Sequence, residues 1–460
     1  MTLYEKSPAN IAEHRLTGYE TLSVWETIKA FKMNSLICFL VTLSAATDGL
    51  IGNIIAEPGF VEKLGTQRND DGDVVLSSPV MSVWGSLGSG GQIIGMVTLP
   101  FLSDRFGRKT AMYYYCFMLA VSVILESNAQ TWQVWLVSKF FGGIGVGCLQ
   151  STIPIYVSEV APIRARGVFL MGYSLWWITG QFFAPVALQV MAERDPNNYL
   201  TPVYTQWSQI GLMFIIYLVI PEPPAWCVTR GKVEQAKKSL RFIYRGVTDF
   251  DIEHAYNLLV INVEHERAVA VEQRSEKWYA IFKGIDGKRT LVSCWTLMTQ
   301  QFIGLGVFFT YGSYFFQQAG IKDHFKVTCI TSGINIAAST VVIYLADITG
   351  RRSLACIGTT ICMVCNIGVG ILGVVPQVKA SNILLVFFSY VGLVANGAAG
   401  WGFIGEISSQ RLRHYTSGFA AASTCIWNWG LKTCWFFAGV GFPFTVAMWF
   451  LIPETSGHVL

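Results

Sequence analysis

Apolar stretches long enough to cross a lipid bilayer, repeated along one chain, leave few folds open. A spanning helix needs roughly 20 mostly apolar residues to cross a hydrocarbon core about 30 Å thick. Eleven such runs lie at residues 34–55, 80–101, 111–127, 132–156, 168–191, 205–220, 291–317, 325–346, 354–375, 382–404 and 433–452. A twelfth candidate, residues 415–426, has only 12 residues. At about 1.5 Å per residue it reaches roughly 18 Å, short of the core. Charge is correspondingly scarce, at 13% of the chain against 52% hydrophobic residues. An ordinary soluble domain carries about 25% charged residues, so neither a soluble nor a disordered chain fits. Of the 62 charged residues, 22 fall in the single stretch 222–289.

Lysine and arginine set the orientation, because they collect on the cytosolic side. Arg105, Arg108 and Lys109 follow the second run, Arg164 and Arg166 the fourth, Arg351 and Arg352 the eighth, and Arg411 and Arg413 the tenth. The charged stretch follows the sixth. The N-terminal segment 1–33 and the loop 222–289 are therefore expected in the cytosol, dividing a bundle at 34–221 from another at 290–460. Segment 1–33 lacks the apolar core of a signal peptide. The 11 cysteines sit mostly inside apolar runs, and an odd number suits no disulfide framework.

An internal repeat supports the same layout. Asp104-Arg-Phe-Gly-Arg-Lys109 recurs as Asp347-Ile-Thr-Gly-Arg-Arg352, and Glu159-Val-Ala-Pro-Ile-Arg-Ala-Arg166 as Glu406-Ile-Ser-Ser-Gln-Arg-Leu-Arg413. The copies stand 243 and 247 residues apart, which indicates a duplicated six-span unit. Pro221-Glu222 recurs as Pro453-Glu454 at only 232 residues. About 15 residues are thus expected to be missing between Arg413 and Pro453, where the eleventh span is short. A shortened gene product and a naturally short or re-entrant span both account for this, and the tail after Pro453 reads as cut too.

The repeated loops join neighbouring spans on the cytosolic face. Arg108 and Arg351 are suited to pair with carboxylates at helix ends, and Asp104 and Asp347 to cap helices. With Glu159, Arg166, Glu406 and Arg413 they form an expected gating cluster that latches the two halves on the inner side. Positive-inside anchoring is the alternative. Ionisable groups inside a membrane are costly and are functional candidates by default. Asp48 in span 1 and Lys139 in span 4 each lie about seven residues from the outer end of their runs. A pair at matched depth suits proton coupling, while snorkelling to the outer headgroups is the alternative. Gln181, Gln300 and Gln301 present donors and acceptors at depths where only a bundle interior satisfies them. Ser174, Trp177, Tyr311, Asn335 and Trp401 would add hydrogen bonds and stacking faces for a polyhydroxylated ligand. The Gly142–Gly147 run lies within a span and reads as close helix packing. The six histidines are in loops or termini, so no enzyme, metal or cofactor is expected.

The duplicated Asp-x-x-Gly-Arg-Arg/Lys loop resembles the signature of the major facilitator superfamily. Gly142–Gly147 leading to Pro154-Ile-Tyr-Val-Ser-Glu-Val-Ala-Pro162, Gly180-Gln181, Pro221-Glu-Pro-Pro-Ala-Trp226, Gln300-Gln301-x-x-Gly304 and Pro453-Glu-Thr455 resemble its sugar porter family. Tyr311–Gly320 and Trp177-Ile-Thr-Gly-Gln181 are most similar to the fungal α-glucoside (maltose-type) branch. The resemblance implies an all-α fold of two six-helix bundles and proton-coupled sugar uptake by alternating access. It also implies a monomer in the plasma membrane, with sugar, protons and lipid as partners and no nucleic acid. Asp48 matches the span 1 aspartate of such symporters. Lys139 stands where arginine is usual, Ser174 and Gly306 where glutamine and asparagine are usual, and Pro100 where glycine opens the first loop motif. Transport of another polyol-like or secondary metabolite, a non-transporting sugar sensor and an inactive truncated product are the alternatives.

Overall fold

A computed structural model describes residues 23–49, 57–68, 74–162, 164–195, 198–247, 250–272, 281–282, 284–302, 324–349, 351–372 and 434–451, with residues 54, 384, 387–388, 391, 416 and 419–420 besides. Helices dominate them. In chain order they are α1 Val24–Ala30, α2 Lys32–Thr42, a 3-10 turn Leu43–Ala45, α3 Ala46–Gly49, α4 Pro58–Leu64, α5 Ser78–Phe106, α6 Arg108–Ser127 and α7 Trp132–Val160. They continue with α8 Arg166–Arg194, α9 Leu200–Val219, α10 Pro224–Thr229, α11 Val233–Ile243, α12 Ile252–Glu272, α13 Gly284–Phe302, α14 His324–Thr349, α15 Arg351–Leu372 and α16 Cys434–Leu451. Among the described residues, α6 and α7 are by themselves long and apolar enough to cross a membrane. Helices α1 and α2 with the 3-10 turn qualify jointly across a 102° bend. The apolar stretches Arg352–Gly368 and Phe442–Leu451 are shorter, and α5 carries the small and polar stretch Gly-Ser-Leu-Gly-Ser-Gly-Gly-Gln. Small residues of this kind let helices approach one another.

The N-terminal core shows that approach. Helix α7 is buried along most of its length and packs on α5 and α6. A Cβ on Gly143 would fall on the Gly88 carbonyl of α5, and one on Gly147 on the Gln92 carbonyl. Backbone therefore meets backbone along this seam. The 3-10 turn is tied across the bundle through the Tyr217 hydroxyl, which hydrogen-bonds both Ser44 and Tyr115. Helix α1 starts with a capping box in which Ser23 and Glu26 satisfy each other's backbone amides.

Over the outer ends lies a small cap, made of α4 and the two-stranded antiparallel pair β1 Gln67–Arg68 and β2 Val74–Val75. Phe60 is its plug. The fully buried ring meets Trp84, Trp135 and Tyr199 edge-on, with centroids 6.0, 4.8 and 5.6 Å away. Beside it, Glu57 is 0% exposed and neither carboxylate oxygen has a hydrogen bond. Burial lifts its carboxyl from 4.5 to about 7. Below the ordinary value both the docked and the undocked cap hold the proton. Between there and about 7 the undocked form loses it first, so docking weakens as pH rises; above 7 the loss is constant. Glu57→Gln is expected to remove this dependence and to raise stability above pH 7 by at most about 3 kcal/mol, and the Tm with it. Thermal unfolding of both proteins across pH 4–8 checks this, and parallel curves would refute it.

After α9 the chain turns into the linker helices. Trp226 and Cys227 of α10 and Ala236 of α11 form a small apolar core of their own, covered by Tyr256 of α12. In the second bundle α14 packs on α8, and α16 on both α13 and α15. Cys362 and Cys365 of α15 stand at Cys-x-x-Cys spacing. No group of three or more His, Cys, Asp or Glu side chains able to hold a metal occurs among the described residues. The short eleventh span expected at 415–426 falls almost wholly outside them.

Candidate functional site

Two polar constellations stand out, one at each face of the N-terminal bundle. At the inner face Gly107, with φ of 111°, turns the chain from α5 into α6. A Cβ there would be strained and would meet the Glu222 carboxylate. That carboxylate accepts the amides of Arg108 and Lys109 at 3.0 and 3.1 Å, capping the positive end of α6. Burial lifts the Glu222 carboxyl above its ordinary value, against the opposing pull of these two amides.

Arg108 itself is 5% exposed. Its Nε and Nη2 fork onto Glu159 of α7 at 3.1 and 2.7 Å, and Nη1 donates to the Ser103 carbonyl at 2.9 Å. Planar bidentate recognition of this kind is specific to arginine. Asp104 lies 3.9 Å from Arg108 and 3.3 Å from Arg230 of the linker. Its carbonyl accepts from Trp226 Nε1 and Arg230 Nη2 at 2.8 and 2.7 Å. The expected latch between the two halves is thus, for Asp104, Arg108 and Glu159, a clasp within the N-terminal bundle and onto the linker. Of the two clusters that the repeat announces, the described one pairs Glu159 with Arg108 of its own copy. Arg166 Nε is buried without a hydrogen-bond partner, and the guanidinium interacts with Glu159 through its charge. The side chains of Asp347 and Arg351, and all of Glu406 and Arg413, lie outside the described residues.

Nearer the outer face, Lys139 Nζ sits 3.0 Å from Glu126 Oε1 and 4.4 Å from the centre of the Trp135 ring. Ser122 of α6 donates to the Ser138 carbonyl of α7 at 2.9 Å. Lys139 therefore starts near the depth of Ser122 and reaches outward one turn to Glu126. Gln206 of α9 donates to Glu126 Oε2 at 3.0 Å. The side chain of Asp48, on α3, is outside the described residues, so its expected pairing with Lys139 is undescribed while a second carboxylate is present. Neither Glu126 nor Gln206 was singled out by sequence. A carboxylate in the last turn of an apolar run reads as interfacial until its helix is set beside Lys139.

Of the expected ligand-binding residues, Gln181 is buried on α8, with Ser174 and Trp177 half-buried on the same helix. Asn335 of α14 is 0% exposed, and neither its amide oxygen nor its amide nitrogen is hydrogen-bonded. Helices α8 and α14 run antiparallel. Lys326 meets Glu193 at 3.6 Å near their outer ends, and Gly333 faces the Phe182 ring. This register sets Asn335 at the depth of Gln181. Gln300 and Gln301 fall on α13 with side chains outside the described residues, as are Tyr311 and Trp401 entirely.

Helices of spanning length, an inner-face charge clasp and an ion pair among the spans describe a multi-pass membrane transporter of the major facilitator fold. The E. coli proton:xylose symporter XylE bound to 6-bromo-6-deoxy-D-glucose superposes with a TM-score of 0.76 at 21% identity, covering 94% of this chain and 98% of that one. The outward conformation of FucP gives 0.56 at 12% identity, covering 92% and 99%. Residues 36–460 match the family described as "Sugar (and other) transporter", and the chain belongs to this sugar porter family. The general alpha-glucoside permease of Saccharomyces cerevisiae is 26% identical over 490 residues, covering 99% of this chain and 77% of the permease. The hexose transporter HXT10 of the same organism is 28% identical over 410 residues, covering 83% and 72%. The MFS transporter fmqE of Aspergillus fumigatus is 27% identical, covering 88% and 80%.

Proposed function

We propose that the protein imports a sugar, an α-glucoside or a hexose, together with a proton across the plasma membrane by alternating access. The observation that carries this reading is the pair of buried amides at one depth, Gln181 on α8 and Asn335 on α14. Their helices pack together across the two bundles, and the Asn335 amide has no hydrogen bond. A buried amide left unpaired costs about 1–3 kcal/mol, and a polyhydroxylated ligand supplies both donors and acceptors. Ser174 and Trp177 extend this face, and Gln300, Gln301, Tyr311 and Trp401 complete the proposed site from the second bundle. The permease and hexose-transporter relatives favour a sugar. Protonation of Asp48 favours sugar binding from outside, occupation permits rocking of the bundles, and proton release inside resets the site. The clasp of Asp104, Arg108 and Glu159 shapes the inner face, with Arg166, Asp347, Arg351, Glu406 and Arg413 as its proposed extension.

Reconstituted vesicles with an inward proton gradient test the proposal. At least one of maltose, methyl α-glucoside, glucose and xylose is expected to accumulate above equilibrium, with collapse on adding a protonophore. Sugar that only equilibrates removes the coupling. Accumulation of a quinate-type acid with no sugar transported favours the reading as a carrier of another metabolite, which the replacements at Ser174 and Gly306 keep open.

A further inference from the structure

The face expected in the cytosol carries a basic surface that neither the clasp nor the proposed sugar site uses. Helix α1 meets α2 across the 102° bend, so it turns nearly perpendicular to the first span. Packing fixes one side of it: Thr27 is buried, Ile28 lies against the core, and Phe31 at the bend is buried. The other side presents Trp25, 64% exposed, with exposed Lys29 one turn on. Exposed Lys32 then opens α2.

Helix α11 has the same construction. Ala236, Ser239, Leu240 and Ile243 are buried. Lys238 and Arg241 share the exposed side at i, i+3 spacing, and exposed Arg245 continues it past the end of the helix. The two helices are joined, for α11 packs on α2 and the Tyr244 ring meets Phe31 edge-on at 5.5 Å. Before α11, Trp226 Nε1 donates to the Asp104 carbonyl at the inner end of α5. The linker is therefore pinned to the ends of two spans, and Phe31 stands only three residues before Asn34, where the first span is expected to begin.

Charge on this surface is unbalanced. Glu26 is committed to the capping box, Glu253 to Lys237 at 2.8 Å, and Asp251 to the amides of Glu253 and His254 at 2.9 and 3.1 Å. Glu234 stands in the first turn of α11, at its positive end. Among the described residues, Lys29, Lys32, Lys238, Arg241 and Arg245 form no ion pair. Cations clustered directly below a spanning helix are attracted to anionic lipid, and an exposed indole beside them suits the level of the headgroups.

We infer that α1 and α11 form a docking surface for the anionic phospholipid headgroups of the inner leaflet. Lys29 and Lys32 hold phosphates from one side of the Phe31–Tyr244 contact, and Lys238, Arg241 and Arg245 from the other. Trp25 seats in the headgroup layer. The lipid thereby ties the linker to the start of the first span. A soluble anion satisfies the cations as well, but gains nothing from the indole. The surface works alike for any transported substrate and with or without proton coupling.

Titration of the full-length protein in neutral detergent with short-chain phosphatidylserine tests this, read as the rise in Tm that binding produces. The wild type is expected to bind phosphatidylserine in preference to phosphatidylcholine, and less tightly as salt is raised. The triple variant Lys238→Gln, Arg241→Gln, Arg245→Gln is expected to bind about fivefold more weakly for each cation removed, about a hundredfold in all. Trp25→Ser weakens binding while keeping the salt dependence. Arg68→Gln, in the outer cap, leaves the affinity unchanged. Equal affinity for the two lipids, or a triple variant that binds like the wild type, overturns the inference. Equal binding of glycerophosphoserine, which has the headgroup without the chains, overturns the assignment to lipid and points to a soluble anion. Where the triple variant does not fold, Lys29→Gln with Lys32→Gln decides: a loss of about twentyfold or more supports the surface, and an unchanged affinity overturns it.

Discussion

Replacing Arg108 by alanine is expected to destabilise the protein by about 3–5 kcal/mol, the cost of removing one partner of a buried ion pair. The arginine has no spare geometry. Two nitrogens fork onto Glu159, a third holds the Ser103 carbonyl, and the backbone amide is already committed to Glu222. Without the guanidinium, Glu159 is left as an uncompensated carboxylate only 18% exposed. Lysine is no substitute, because one ammonium cannot reproduce a planar fork. Arg108→Lys is expected to recover only a minority of the loss. Adding Glu159→Gln to Arg108→Ala removes the stranded charge and is expected to restore part of the stability. Thermal unfolding in detergent reads all three. An Arg108→Ala protein that melts with the wild type, or a double variant no better than the single one, refutes the clasp as a stabilising element.

Asp48→Asn is expected to abolish accumulation while leaving sugar exchange across the membrane. The amide keeps the size and hydrogen-bonding capacity of the carboxyl and loses only its titration. Rocking of the bundles with sugar bound requires no net proton movement, so exchange of labelled for unlabelled sugar continues. The ratio of internal to external sugar, however, falls to about one, since binding no longer differs between proton-rich and proton-poor sides. Concentrative uptake that survives in Asp48→Asn sinks the assignment. Loss of both exchange and accumulation points instead to damage at the sugar site.

Much of this was legible in the sequence, and for identifiable reasons. Spanning helices must be apolar over a fixed length, so their positions show in one dimension. The loops expected in the cytosol repeat, which exposed Arg108, Glu159 and Asp104 before any contact was known. What a repeat cannot encode is which copy a residue pairs with, and the described pair is Arg108 with Glu159 of the same copy. The Lys139 partner was hidden for another reason. Glu126 sits in the last turn of α6, and only helix register brings it within reach of a lysine deeper in α7. Glu222 was visible as part of a motif, but its work as a cap for α6 depends on the linker folding back beneath Gly107. The cap residue Glu57 gave no pattern at all. Its burial accompanies that of Phe60, three residues on, whose ring meets Trp84, Trp135 and Tyr199.

The seam between α5 and α7 bears on how the whole machine moves. Where Gly143 and Gly147 sit on the carbonyls of Gly88 and Gln92, no side chain intervenes to act as a bearing. Two helices in such contact cannot slide or roll separately; they transmit force like a single welded strut. The clasp at Arg108 fixes one end of that strut to the linker, and the aromatic plug at Phe60 weights the other. The proposed motion that exposes the binding site to either side is therefore expected to hinge elsewhere, along the contact of α8 with α14, where Gln181 and Asn335 are carried.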